Sequence, residues 1–310
     1  DVTGESTTPV VGSFITDVLV NVTGSTQTVM YTVTPTGTNG CTGNTFQVSI
    51  PVDSKPVGIA STEAAVCSDA SFTFDPQDNV DDGNDLVSTF SWTRTLPSGL
   101  TEKIGGGGTG NGSITETLEN LTSTILNAVY TVTPTSGGCV GNTFTITVPI
   151  NPEPVGTNSV TAEVCSDVAF SFNPQAYVTN GVASTFTWTV VYDGGINVVS
   201  GGTGIGPIAA TLNNVSGGTL NAVYTVTATS GSICAGNTFT VTVPVKSEPL
   251  GVTLTAAAIC SDASPAYDLQ NNVNTGSGNS IASTFSWVAA DNADVTGEST
   301  TPVVGSFITD

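Results

Sequence analysis

One pattern returns three times along this chain, and it constrains the fold more than any other feature. Ser-Thr-Phe-Ser/Thr-Trp places Trp92, Trp188 and Trp287 at intervals of 96 and 99 residues. A Tyr-Thr-Val-Thr segment places Tyr31, Tyr130 and Tyr224 at intervals of 99 and 94. Cys-Ser-Asp recurs at Cys67, Cys165 and Cys260, and a second cysteine ahead of Gly-Asn-Thr-Phe recurs at Cys41, Cys139 and Cys234. The unit is therefore roughly 94–100 residues long, the size of one small domain. A longer period overlies it, because residues 1–17 and 294–310 are identical, which makes a super-repeat of three units. Residues 248–293 supply the front of a unit and residues 1–54 the back of one. The expectation is a window onto a longer array, with a cloning duplication as the alternative. The expected divisions are 1–54 (C-terminal part of a repeat), 55–152 and 153–247 (complete repeats), and 248–310 (N-terminal part).

Each unit reads as an all-β sandwich. Helix signals are nearly absent. Thr, Val, Gly and Ser dominate, which suits pleated, half-buried strands and turns. Residues 128–133 and 143–148 alternate between apolar and polar, so one face points in and one out. In the second complete unit the pattern predicts strands near 158–164, 168–172, 185–192, 196–199, 208–213, 221–229 and 237–245. Phe172 and Trp188 should pack in the core. Tyr224 should fill core and anchor its hydroxyl at a corner.

At these residues the chain resembles the PKD-like and Ig-like repeats of giant Bacteroidota surface proteins. The resemblance rests on Val-Cys-Ser-Asp, the tryptophan strand, and the run from Asn127 to Val148 followed by Asn-Pro-Glu-Pro. It covers essentially the whole chain. It implies export by the type IX secretion system and display as a long adhesin, as in gliding-motility adhesins of the SprB type. Anchoring and motility machinery would then act through regions outside these residues.

Six cysteines at regular spacing suggest disulfides in an exported chain. The predicted topology runs the first and last strands of a unit parallel. The Cys-Ser-Asp cysteine and the hairpin cysteine then lie at opposite ends, about 25 Å apart at ~3.3 Å per residue. A disulfide needs Cα atoms within about 7 Å. The topology therefore favours a head-to-tail rod with an interdomain Cys67–Cys234 bond. Cys41, Cys139, Cys165 and Cys260 would pair with repeats outside the window. Pairing within a unit, should the strand order differ, and free thiols stay open. Prolines at each joint (Pro51 and Pro56; Pro149, Pro152 and Pro154; Pro244 and Pro249) favour extended, stiff connectors.

Composition limits the chemistry. With 25 Asp+Glu against 4 Lys+Arg and a formal charge of −21, the chain is unsuited to nucleic acid or anionic lipid, which both need clustered cations. No apolar run is long enough to span a bilayer. The missing initiating Met leaves room for a removed upstream segment. There is no His, which removes the commonest general base and zinc ligand. No recurring nucleophile, base and oxyanion donor set exists, so the chain is read as not an enzyme.

Asp75, Asp78, Asp81, Asp82 and Asp85 form the best candidate for a metal, Ca²⁺, which takes six to eight oxygens. A solvated acidic loop is the plainer reading. Asp69, Asp167 and Asp262 read as turn-capping aspartates. Asn21, Asn120 and Asn214, which head Asn-X-Ser/Thr triplets, read as loop residues. Lys55 and Lys246 fall in joints and Lys103 in a loop, which argues against isopeptide cross-links. The expected role is the repetitive stalk of a long surface adhesin or filament, its partners being neighbouring repeats. The alternative is a glycan- or calcium-binding module.

Overall fold

The computed structural model describes residues 2–275 and 278–309. The chain divides into two compact units, residues 1–153 and 154–310. Each contains one complete β-sandwich and one partial repeat.

In the first unit, one sheet runs in the order 109–111, 89–95, 126–136, 144–151 and 61–62. The strands Ser61–Thr62 and Val66–Cys67 lie parallel on Phe144–Asn151. The other pairings in this sheet are antiparallel. The facing sheet has Ile114–Asn120 between Ser71–Phe74 and Leu100–Ile104. The second unit repeats the plan. Ser159–Val160 and Val164–Cys165 lie parallel on Phe239–Lys246, followed by Leu220–Ser230, Ser184–Tyr192 and Gly204–Ile205. Phe170–Phe172, Ile208–Asn214 and Ile196–Ser200 form its facing sheet.

The strands fall where alternation placed them, because period 2 puts every second side chain inside. Along Leu220–Ser230, Ala222, Tyr224, Val226 and Ala228 are buried. They meet Val241, Val243 and Val245 on the next strand and Ile208 and Leu212 from the facing sheet. The first sandwich uses Ala128, Tyr130, Val132, Ile146, Val148, Ile150, Ile114 and Leu118 in the same way. Trp92 packs edge-on to Tyr130 at 5.6 Å and Trp188 to Tyr224 at 5.5 Å. Phe172 reaches Tyr224 from the other sheet at 5.9 Å. A short strand, Thr109–Asn111 or Gly204–Ile205, crosses each indole. A Cβ at Gly110 or Gly204 would stand 2.3 or 2.6 Å from the ring, so the crossing requires glycine.

Two features differ from the sequence reading. A helical turn precedes each tryptophan strand: Gln77–Asp81, Pro174–Tyr177 and Leu269–Asn274. Turns this short carry little periodicity to read. Lys103 lies on the edge strand Leu100–Ile104 rather than in a loop, where its ammonium pairs with Asp69.

The partial repeats keep pieces of the same plan. Gln27–Val33 and Phe46–Val52 form the hairpin equivalent to the last two strands. In the last segment, Tyr267–Asp268 pairs with Phe307–Ile308, and Ser286–Trp287 with Val303–Val304.

Candidate functional site

The structure concentrates its distinctive chemistry at the strand ends and the linkers of both units, and in one buried charge network in the first.

The Asn-X-Ser/Thr triplets are not loops. Asn120 and Asn214 end the central strand of the smaller sheet and are 1% and 0% exposed. Asn214 Nδ2 donates to the carbonyls of Gly218 (2.8 Å) and Val245 (2.6 Å), while its Oδ1 accepts from Ser216 N–H and Oγ. Asn120 makes the same four bonds with Thr124, Ile150 and Thr122. Asn21 repeats them with Ser25, Val52 and Thr23. One amide thus ties the turn to the last strand of the opposite sheet, and all its hydrogen-bonding capacity is used.

The Cys-Ser-Asp motif works differently from a capping aspartate. Asp69, Asp167 and Asp262 have φ of 63°, 57° and 66°, the left-handed region that Asp tolerates better than most residues. The serine makes the cap: Ser68 Oγ accepts Asn120 N–H and Ser166 Oγ accepts Asn214 N–H. The aspartate carboxylates face Lys103 in the first sandwich and Asn213 in the second. Glu153 also faces Asp69. Burial, then the Asp69 charge, push its carboxyl up to about 6. Glu248 is raised in the same way, by burial and by Asp167.

The acidic stretch is spread along the helical turn. Asp75 Oδ1 accepts Gln77 N–H at 3.1 Å where the chain enters it. Asp78 and Asp81 lie on it, Asp82 closes it, and Asp85 follows at φ 61°. Asn173 and Asp268 cap the equivalent turns. Among the described residues, no group of three or more His, Cys, Asp or Glu comes together to hold a metal. The glutamine of this stretch positions the tryptophan strand. Gln77, Gln175 and Gln270 each accept the N–H of Ser88, Ser184 or Ser283 and donate to a nearby carbonyl.

The stretch ends in a linker clamp. Asn84 Oδ1 accepts Val57 N–H at 2.9 Å and its Nδ2 donates to Lys55 O at 2.8 Å. Asn279 grips Leu250 and Glu248 likewise, and Asn180 accepts Val155 N–H. The proline-bearing connector is thus pinned to the domain that follows it.

Cys67 and Cys234 are disulfide-bonded, whereas Cys41, Cys139, Cys165 and Cys260 carry free thiols. Within each sandwich the two cysteines sit at opposite ends of one sheet. Cys67 and Cys165 pair with Asn151 and Lys246 at the exit of the last strand. Cys139 and Cys234 lie at the hairpin before it.

Sequence reasoning missed the buried network. Arg94, the only arginine, reaches from the tryptophan strand to Glu116 and Glu102 on the facing sheet. The Arg94 and Glu116 side chains are 5% and 0% exposed. Tyr130 donates its hydroxyl to the same Glu116. Burial pulls the guanidinium down, but its bonds to Glu116 and Glu102 outweigh this and raise it further. Glu102 is lowered by Arg94 and by the Gly107 N–H. Burial and Glu116 hold Tyr130 well above the usual phenol range. The signal was present in the sequence: a lone arginine on a strand position where the next unit has Val190.

The repeated domains match one family pattern over residues 1–56, 64–154, 162–249 and 257–310, that of the PKD-like domain. The chain belongs to the PKD-like domain family. No curated protein matches it. Among solved structures, this chain of PKD-like domains is similar to the protocadherin gamma B7 extracellular cadherin domains 1–4 at 13% identity. That match covers 100% of this chain and 83% of the other, with a TM-score of 0.26. The chicken CNTN1 FN1–FN3 domains match at 12% identity over 71% of this chain and 76% of theirs, TM-score 0.27. An endo-fucoidan hydrolase, MfFcnA4 of glycoside hydrolase family 107, matches at 10% identity over 80% of this chain, TM-score 0.22. The PKD-like chain spans only 39% of that hydrolase and 20% of a sialyltransferase from Photobacterium damsela. Its PKD-like domains and disulfide fit an extracellular or secreted protein. No helix among the described residues is long and apolar enough to cross a membrane.

Proposed function

We propose that these PKD-like repeats form the stalk of a long cell-surface adhesin, a spacer that projects a binding tip and transmits force. One observation carries the reading. In each complete sandwich the first strand runs parallel to the last and hydrogen-bonds to it, so the chain comes in at one end of the domain and leaves at the other. That topology suits head-to-tail extension, and the clamped, proline-bearing linkers support a stiff connector. The proposal takes Cys67 and Cys234 as partners in one bond that staples consecutive repeats, with Cys41, Cys139, Cys165 and Cys260 serving the same purpose toward further repeats. The high negative charge keeps neighbouring rods soluble and apart. The stalk is read as non-catalytic and exported to the cell surface, through type IX secretion as the resemblance implies.

Non-reducing peptide mapping of the native protein tests this. A peptide pair joining Cys67 to Cys234 is expected. A Cys67–Cys139 pair would mean independent beads with joints free to bend, and would remove the stapled stalk.

A further inference from the structure

The two complete sandwiches share nearly the same core, side chain for side chain. Phe72, Phe90, Trp92, Ile114, Leu118, Tyr130 and Val132 correspond to Phe170, Phe186, Trp188, Ile208, Leu212, Tyr224 and Val226. Such similarity is a hazard. Tandem domains with interchangeable sheets can pair the sheet of one with the facing sheet of its neighbour, and strand exchange is a characteristic failure of repeat proteins.

At one place the sandwiches differ in kind, at two positions that face the core and a third on the edge strand beside it, where Glu102 is partly and Val198 largely exposed. Arg94 sits opposite Tyr130, and Val190 opposite Tyr224, in equivalent register. Glu116 faces Phe72 as Ala210 faces Phe170. Glu102 pairs with Leu118 as Val198 pairs with Leu212. The trio Arg94, Glu102, Glu116 is thus replaced by Val190, Val198, Ala210. Its members come from both sheets: the arginine or valine from one, the other two from the facing sheet. The first partial repeat carries a third arrangement. Asp17 stands 99 residues before Glu116, and accepts hydrogen bonds from Tyr31 (2.8 Å) and Ser6.

We propose that this trio is a pairing key that makes each sheet recognise its own facing sheet and reject that of the neighbouring repeat. A sandwich built from the Arg94 sheet and the Ala210 strand would bury a guanidinium with no carboxylate. The reciprocal pairing would bury Glu116 against Val190 with no cation. A stranded buried charge is strongly destabilising, although an intact buried ion pair adds little net stability over an apolar replacement. The network therefore acts through discrimination. The keys differ between adjacent repeats, and Asp17 recurs as Asp310, three units on, past two units that carry other residues at that position.

Single-molecule stretching of the full chain tests the key. The chain is kept reduced so that no disulfide limits extension, and is cycled between stretching and refolding. Exchanged sandwiches unfold as events about twice the single-domain length. R94V/E102V/E116A gives both sandwiches the apolar key, and V190R/V198E/A210E gives both the charged one. Each is expected to raise double-length events at least about tenfold over the natural chain. The six-fold exchange of both keys keeps neighbours different and is expected to leave the frequency unchanged. Equalised keys without a rise would overturn the proposal. So would a rise in the exchanged chain, which would point to stability rather than matching. Loss of single-length events in either graft would overturn it too, since a key must be portable between matched cores.

Discussion

Buried side chains with one irreplaceable partner set the behaviour of this protein at the residue scale. Arg94→Val alone strands Glu116, and a loss of about 3–5 kcal/mol from its sandwich is expected in denaturant unfolding. R94V/E116A should recover most of it, as Val190 and Ala210 coexist in the other sandwich. Asn214→Ala removes four bonds at a fully buried corner and takes from the Gly218 and Val245 carbonyls and from Ser216 the amide they share. A loss of about 2–4 kcal/mol is expected by the same measurement. Glu153 gives a pH signature. Its carboxyl is raised to about 6 by burial and the nearby Asp69, so folding favours its protonated form. The stability it contributes is fully present below the ordinary glutamate range and is lost as pH rises through about 6. The effect should stay under about 1 kcal/mol because the group is partly solvated. Glu153→Gln should flatten that slope in unfolding measured from pH 4 to 7. An unchanged slope would place the proton elsewhere.

Single amides and glycines tie the strands together at the scale of elements. The short strand over each indole depends on Gly110 and Gly204. Gly204→Ala forces ring and strand apart, with an expected cost of about 1–3 kcal/mol. The linker clamp is separable from the core. Asn84→Ala should leave sandwich melting nearly unchanged while the Val57 amide, no longer held, exchanges with solvent markedly faster. Hydrogen exchange resolved to that amide checks it, and slow exchange in the variant would show that the clamp is redundant. The acidic stretch belongs at this scale. Its carboxylates and amides are used to hold the entry of a turn, to position the tryptophan strand and to grip the linker, so its members diverge along the backbone.

The scale of the whole molecule concerns load. If Cys67 and Cys234 are bonded together, tension between the termini bypasses residues 68–233. Reduction should then release roughly 560 Å of additional extension at about 3.4 Å per residue. Force–extension curves with and without reductant read this directly. Equal extension in both would show that the bond does not carry load. In a longer array with every joint stapled, the parallel first and last strands would act as two covalent rails.

The repeat length, the all-β sandwich and the main strands of the second complete unit were legible in the sequence, because period-2 alternation is local and survives in any context; the short strand Gly204–Ile205 over the indole was not. Trp92, Trp188, Tyr130 and Tyr224 are core as expected, but the Tyr224 hydroxyl is buried without a partner among the described residues rather than anchored at a corner; the parallel first and last strands, expected from a sandwich strand order, are seen in the fold. What the polar residues do depends on partners that the assembled fold supplies. Asn120 and Asn214 read as loops, since Asn-X-Ser/Thr looks the same exposed or buried, and only the last strand of the opposite sheet supplies the carbonyls that bury them. Asp69 and Asp167 read as caps, but the neighbouring serine takes that role once the chain turns left-handed. The Arg94 network stayed hidden because its members lie on three strands and meet only across the core. Apolar packing follows from pattern, whereas a hydrogen bond needs a partner at a specific distance and angle, and distant partners are brought together only by the fold.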